Sequence, residues 1–574
     1  MHSMAILSRG KILINSRCQG NFFPPSAFSS VEGDLPQEAK MRRAALFLLI
    51  VVFLLFMAGC GSQSSITTTP PPSNPNPADV PVSLTVTDTP PAGVTVLFFQ
   101  LSITGASLSP GGVSLLSSTN PTPVNVTQLQ TDSAFLGSAN VPTGSYTSLS
   151  VTFSNPQLTI YNGSGATMGS GANACANNSV CQLTPTTAPL TLTFSTAPFP
   201  ITLTNSPLAF VLDINMNTVI QPDLTVNLAA TNGVTISQLP ALPSGAPITV
   251  LGNLIGTVQG GLPYSVVPNP DQVQSILVLQ TGDGRTFDIG LTFSTTYSYP
   301  SSVCSTSSFA CLATGQIVKV ELSLPTDGTL LASEVDYVQP AGQTVVEGNI
   351  IRLSTSAAGA IMDMILQQGP PTPTPNALPF GQRVTVTVPA SGVTYTVDSG
   401  SFTIPGGLSF ATYTDLVVGQ EVSVVVVPGS LTTASGSGSS TPWAGPAATT
   451  FTTNSITLEP SQITGSVPVL DASALSFWLS TNPNYFIPPA TPLAGPPTPA
   501  PVNITVQTTS GTTFTNFTPD SISGLAVNDV VSVGGWLFSS GVIPFVCTPT
   551  YGCVPATTIV AESVVGRPGP TPLF

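Results

Sequence analysis

From Val82 the chain alternates: Val82, Leu84 and Val86 are apolar, and Ser83, Thr85 and Thr87 are polar. A two-residue period puts one face of an extended strand on a core and the other in solvent, so the pattern predicts a half-buried strand. It closes at Asp88-Thr89-Pro90-Pro91-Ala92-Gly93, a turn in which Asp88 is the turn-former. Residues 94–103 predict a second strand and 106–108 a third, broken by Pro110-Gly111-Gly112. Alternation returns at Leu149, Val151 and Phe153, after Val141-Pro142-Thr143-Gly144-Ser145-Tyr146, where Tyr146 reads as a core or corner tyrosine. After residue 60 no apolar spacing of i, i+3, i+4, i+7 holds, and the expectation is an all-β body.

From residue 251 one order of features recurs three times. Each unit opens on a glycine-centred strand: Ile255-Gly256-Thr257-Val258, Val346-Glu347-Gly348-Asn349-Ile350 and Ile463-Thr464-Gly465-Ser466-Val467. A pair of hairpin strands is predicted next, at 276–280 with 286–289, 384–388 with 393–397, and 502–506 with 512–517. A Gly or Asn turn then leads into an apolar strand at Gly315, Gly419 and Asn528, and a closing strand follows at 331–338, 455–458 and 558–564. Three insertions, 369–379, 428–450 and 483–501, are rich in Pro, Gly, Ser and Thr and predict loops or disorder. Trp443 and Tyr485-Phe486 sit in them and read as aromatics pinning the loops to the body, with an exposed contact surface as the alternative.

Asp88-Thr89-Pro90, Ser109-Pro110-Gly111 and Pro142-Thr143-Gly144-Ser145-Tyr146 resemble the signature of the DUF4382 family. The resemblance implies a β-sandwich of immunoglobulin or transthyretin type over residues 82–240 and no known activity. Leu312-Ala313-Thr314-Gly315-Gln316-Ile317-Val318-Lys319-Val320, followed by Leu330-Leu331-Ala332-Ser333-Glu334-Val335, is similar to the DUF5666 family of small β-domains. That likeness implies one small, partly open barrel per unit, at 251–340, 344–460 and 462–567. The third unit departs from it, with Asn528 for glycine and an insertion carrying Cys547 and Cys553.

Ahead of the body, Met41-Arg42-Arg43 precedes an apolar run, 44–57, that ends in Ala58-Gly59-Cys60. Positive charge, a short apolar core and small residues have the layout of a secretion signal, and the run is shorter than the roughly 20 residues a membrane span needs. The cysteine after Ala-Gly resembles the lipobox of bacterial lipoproteins, with Met57 where that family usually has Leu. The resemblance implies cleavage of 41–59, a lipidated Cys60 as first mature residue, and passage to the outer membrane or cell surface. A retained signal anchor and a plain cleaved signal are the rival readings. Residues 1–40 read as a gene-start artefact or a long n-region; 61–81 read as a Pro-rich tether.

From Cys60 onward there are 22 acidic and 5 basic residues, a net charge of −17. Such a body cannot neutralise phosphates, which excludes nucleic acid as a partner, and it cannot lean on anionic lipid. The membrane contact must therefore come from acyl chains, two of which suffice. The six later cysteines fall into local pairs, Cys175/Cys181, Cys304/Cys311 and Cys547/Cys553. In an exported chain they read as three disulfides, each worth about 2 kcal/mol on the chain-entropy account. His2 is the only histidine, so no Ser-His or Cys-His pair is available in the body, and no metal or cofactor site is expected. Asp283 and Asp288 flank a hairpin turn rather than making an acid/base pair, and Lys319 falls on a predicted strand. The reading that results is a lipid-anchored envelope protein that binds an extracellular glycan or protein or serves a structural role. The alternatives are a carboxylate-dependent enzyme acting on polysaccharide and a pure spacer. Substituting Cys60→Ala is expected to move the protein to the soluble fraction or leave an unprocessed precursor; fractionation with intact-mass measurement checks this.

Overall fold

The computed structural model describes most of residues 79–567. Outside that description lie 1–78 and 568–574, the segments 90–94, 117–121, 163–164, 240–249, 264–272, 282–284, 300–302, 325–329, 340–342, 369–377, 434–439, 443–446, 482–501, 540–546, 549–551 and 554–556, and a few single positions. Cys60 and its signal, Asp283, Trp443, Tyr485 and Phe486 therefore fall outside the described residues. The chain is all-β: a two-sheet sandwich followed by three small barrels.

In the sandwich, Asp79–Thr89 runs between Leu208–Asn215, to which it is parallel, and Ala134–Pro142, to which it is antiparallel. Val234–Leu239 completes this sheet of four strands. In the facing sheet Thr95–Ser109 and Ser148–Asn162 pair antiparallel along their lengths, from Thr95 opposite Tyr161 to Ser109 opposite Ser148. Leu84, Val86, Phe99, Leu101, Phe153 and Phe210 meet between the sheets as one core. Tyr146 is the corner tyrosine expected: its ring is buried and its hydroxyl donates to the Pro142 carbonyl at 2.9 Å.

Three local expectations change here. The first strand is buried on both faces, with Ser83 and Thr85 as enclosed as Val82 and Leu84, because it is central in its sheet. It also runs on through Asp88, which is fully enclosed rather than placed at a surface turn. The stretches 94–103 and 106–108 belong to one strand, Thr95–Ser109, and the turn comes after it.

The three barrels share one strand order. Their first strands are Val250–Pro263, Thr344–Ser356 and Ser461–Asp471. Each pairs with a second strand (Ser275–Thr281, Gly359–Gln368, Ser476–Thr481), which pairs with a third (Thr286–Leu291, Arg383–Pro389, Val502–Gln507). The third closes in parallel onto the last strand (Leu331–Gln339, Thr449–Glu459, Thr558–Arg567). The last returns antiparallel to the fifth (Ile317–Ser323, Glu421–Val426, Val530–Phe538), which pairs back with the first. A short fourth strand lies parallel along the last in each (Thr296–Ser298, Thr394–Val397, Thr513–Thr515). Without the short strand this is a closed five-stranded Greek-key barrel, the architecture of OB-type folds.

The repeated glycines have a common cause. A Cβ on Gly256, Gly348 or Gly465 would lie 2.6, 2.1 or 2.5 Å from the carbonyl oxygen of Gln280, Ile365 or Ser480 on the second strand. First and second strands cross too closely there for any side chain. The turn before the fifth strand is equally regular. Gly315, Gly419 and Asn528 have φ of 86°, 97° and 77°, and each N–H donates to the first strand, at the carbonyls of Val258, Ile350 and Val467. Asn528 stands in for glycine because Asn is among the few residues that tolerate left-handed backbone.

The expected hairpin of strands two and three holds in the first barrel alone. In the others, 384–388 with 393–397 and 502–506 with 512–517 are third and fourth strands, each bound to the last strand and not to one another. The true second strands escaped because they do not alternate: Met362, Asp363 and Met364, and Phe477, Trp478 and Leu479, are buried in succession. The insertion 428–450 is also not all loop. Its Ser440–Pro442 adds antiparallel to Ser179–Leu183 at the edge of the sandwich sheet.

Disulfides join Cys175 to Cys181 and Cys304 to Cys311, with Cα separations of 5.8 and 5.7 Å. Cys547 and Cys553 stand opposite one another on two short antiparallel strands; their side chains are outside the described residues. Gly419→Val is expected to cost about 1–3 kcal/mol because a β-branched residue strains a positive φ, whereas Asn528→Gly should change stability by less than about 0.5 kcal/mol. Denaturant midpoints of the two variants check this.

Candidate functional site

The four modules meet around one sandwich segment, 122–135. Asn125 donates through Nδ2 to Gln367 Oε1 of the second barrel at 2.9 Å, and Gln367 Nε2 donates back to the Leu97 carbonyl at 2.9 Å. Gln462 of the third barrel donates to the Gln128 carbonyl at 2.9 Å and accepts from the Thr131 N–H at 3.1 Å. Thr464 donates to Gln130 Oε1 at 2.8 Å, and the Arg567 guanidinium donates to the Gln130 carbonyl. Ser133 bridges to Leu251 of the first barrel, against whose core Phe135 packs. Amides dominate this seam because they satisfy buried backbone groups without introducing charge.

A cavity of about 340 Å³ lies where these contacts converge. The sandwich lines it with Gln100, Asn125, Gln128 and Phe135, the first barrel with Arg285, Phe287 and Glu321, the second with Glu347, Glu421 and Glu459, and the third with Gln462 and Glu562. The Gln128 carboxamide makes no hydrogen bond among the described residues. Arg285 lies 4.9 Å above the Phe287 ring.

One wall of the cavity is a buried cluster of charge. Lys319, on the fifth strand of the first barrel, reaches into the second and donates to Asp398 Oδ2 at 2.7 Å and to Glu459 Oε2. Burial would lower its ammonium, but Asp398, Glu459 and Glu347 outweigh burial and hold it well above its usual range. Burial likewise works to raise Asp398, but the ammonium beside it prevails and keeps its carboxyl low. Glu459 is pushed well up by burial despite Lys319, and hydrogen-bonds with Asp398. Within the triad Lys319 favours the ionised form of Asp398, while burial favours the protonated form of Glu459.

Glu421 is fully buried, raised well above the carboxylate range by burial and by Glu347, with which it hydrogen-bonds. Glu347 in turn accepts from Ser423 and Glu421 from Asn349, both at 3.3 Å. Across the joint, burial and then Asp398 push Asp336 up to about 8, and burial raises Glu321. Asp336 Oδ1 is buried without a hydrogen-bond partner.

Little of this was foreseen. Lys319 is on the strand expected, but its pairing was invisible, because Asp398 and Glu459 are 79 and 140 residues away in sequence. Asp288, at the flagged hairpin, is exposed and far less enclosed than the acids above. Asp88 is a further buried acid, in the sandwich and outside that cluster. Burial pushes its carboxyl well up, although Arg567 and the Met216 backbone oppose the shift. A polar residue interrupting an otherwise apolar face at 82, 84, 86 and 88 was the available signal. Among the described residues no three His, Cys, Asp or Glu side chains are placed to hold a metal ion. No helix among them is long and apolar enough to cross a membrane.

Residues 80–236 match the family model of a domain of unknown function, DUF4382, and residues 283–336 match that of another, DUF5666. The second match spans the third to last strands of the first barrel; the other two barrels repeat that topology outside it. No curated protein and no solved structure matches the chain.

Removing Lys319 would leave Asp398 and Glu459 buried against each other without a cation. Lys319→Met is expected to destabilise by about 3–5 kcal/mol, and adding Asp398→Asn should recover part of it. Chemical denaturation of both variants checks this.

Proposed function

We propose that the protein is an envelope-anchored binding protein that holds a small uncharged, hydroxyl-bearing molecule, such as a mono- or disaccharide, in the cavity its four modules share. One observation carries the reading: the cavity exists only where the sandwich and all three barrels come together, each supplying wall. A spacer needs no such convergence. The volume falls within the roughly 300–1,000 Å³ usual for small-ligand sites. The wall combines carboxamides, carboxyls and phenyl rings, which offer donors, acceptors and apolar faces to a polyol, and its excess of acids disfavours anions.

The Glu347–Glu421 pair does not favour the enzyme reading. Glu347 and Glu421 are in hydrogen-bond contact, whereas glycosidases hold their carboxyls about 5–10 Å apart with the substrate bond between. Anchoring at Cys60 and display at the outer membrane or cell surface belong to the same proposal, supported by the Ala58-Gly59-Cys60 sequence. The absence of a nucleic-acid partner is supported by the placement of the cations: Lys319, Arg352 and Arg383 are paired with acids inside the fold.

The test is saturation-transfer NMR of the mature chain against neutral sugars, simple amines and small carboxylates. Neutral sugars are expected to bind, and Gln128→Leu is expected to weaken them at least tenfold without shifting the melting temperature. Binding of amines or carboxylates alone, or unchanged sugar affinity in Gln128→Leu, would refute the reading.

A further inference from the structure

The joint between the first and second barrels is built from the wrong ratio of charges. From the first barrel, Lys319 and Glu321 on Ile317–Ser323 and Glu334 and Asp336 on Leu331–Gln339 face it. From the second come Glu347, Asp398, Glu421 and Glu459. Among the described residues Tyr297, Tyr299 and Tyr337 are further titratable groups beside Asp336, and burial raises all three. Seven carboxyls thus surround one ammonium in a space nearly closed to water. Gly400, between the barrels, shows how tight the fit is: a Cβ there would lie 2.9 Å from Glu334 Oε2 and 3.4 Å from Glu321 Oε1. Apolar contact at the joint is small, being chiefly Ile255 and Ile317 against Val345 and Val425.

We infer that this cluster is a proton-dependent latch, which holds the two barrels together while Glu421, Glu459 and Asp336 carry protons and loosens the joint, and the cavity wall it forms, once they ionise. With Glu421, Glu459 and Asp336 all ionised beside Asp398, four carboxylates would face one lysine at low dielectric, which so small an apolar contact cannot offset. With Glu421, Glu459 and Asp336 protonated the same groups become donors, as between Glu459 and Asp398. For acids whose folded pKa is raised, the stabilisation is complete below the ordinary carboxylate range and is lost as pH climbs through the raised value. Asp336, pushed up to about 8, places its own share of that loss in mild alkali. Asp398 has the opposite sign, its contribution fading only in strong acid, so the latch is closed in mild acid and opens in mild alkali. Where the cavity binds as proposed above, the latch regulates that site, but the joint's own response does not depend on any ligand.

The experiment is hydrogen–deuterium exchange of the full mature chain without ligand from pH 5.5 to 9.5, corrected for the intrinsic rate. Exchange in peptides covering 317–323 and 421–426 is expected to rise at least tenfold above pH 8, while the third-barrel strand 476–481 stays unchanged. Asp336→Asn with Glu421→Gln, which copies the protonated shapes, is expected to remove the rise. A flat wild-type profile would overturn the latch, and so would the same rise in the double variant or a rise shared by the third-barrel strand. Should the double variant not fold, the wild-type profile alone still decides. A flat profile with intact sugar binding sinks the latch alone; a pH-dependent joint without sugar binding sinks the ligand reading alone.

Discussion

A scarcity of positive charge governs this structure. The body has five basic side chains, and the fold places each against something specific. Lys319 is spent between two barrels, Arg352 and Arg383 both grip Asp363, Arg567 holds the sandwich segment at Gln130, and Arg285 stacks on Phe287. With so few cations, most buried acids cannot be paired, so they must be neutral or hydrogen-bonded to one another. The junction of the modules is where this constraint bites, because the acids that face it come from different modules.

The barrels show how one local pattern yields different joints. The first-strand glycine and the left-handed turn serve only to close each barrel, so they recur. The outer faces are free to diverge, and each barrel uses its own differently. The second barrel meets the third through Trp536, whose ring lies 5.0 Å from Phe402 and whose N–H donates to the Asp398 carbonyl at 2.6 Å. It meets the sandwich through Phe98, Val180, Ile351 and Ile365, and through the strand lent by its own insertion. That added strand also covers a sheet edge that would otherwise offer unpaired backbone. The third barrel grips the sandwich with amides and Arg567 instead. The cavity is what remains where these unlike contacts fail to close completely.

The class of fold, the strands that alternate, the positive-φ turns and two local disulfides were all legible in the sequence, because each depends on residues within a few positions of one another. Periodicity showed Val82–Val86, glycine and asparagine marked Gly315, Gly419 and Asn528, and short spacing paired Cys175 with Cys181 and Cys304 with Cys311. Strands enclosed on both faces, Gly359–Gln368 and Ser476–Thr481, lost the two-residue signal and were misaligned for that reason. Only the tertiary structure decided that Asp88 is enclosed, that Ser440–Pro442 joins the sandwich sheet, and that Lys319, Asp336, Glu421 and Glu459 share one joint. These outcomes depend on which faces of distant segments come to lie together. That choice is made by packing between segments more than 70 residues apart, as from Lys319 to Asp398, and no local pattern records it.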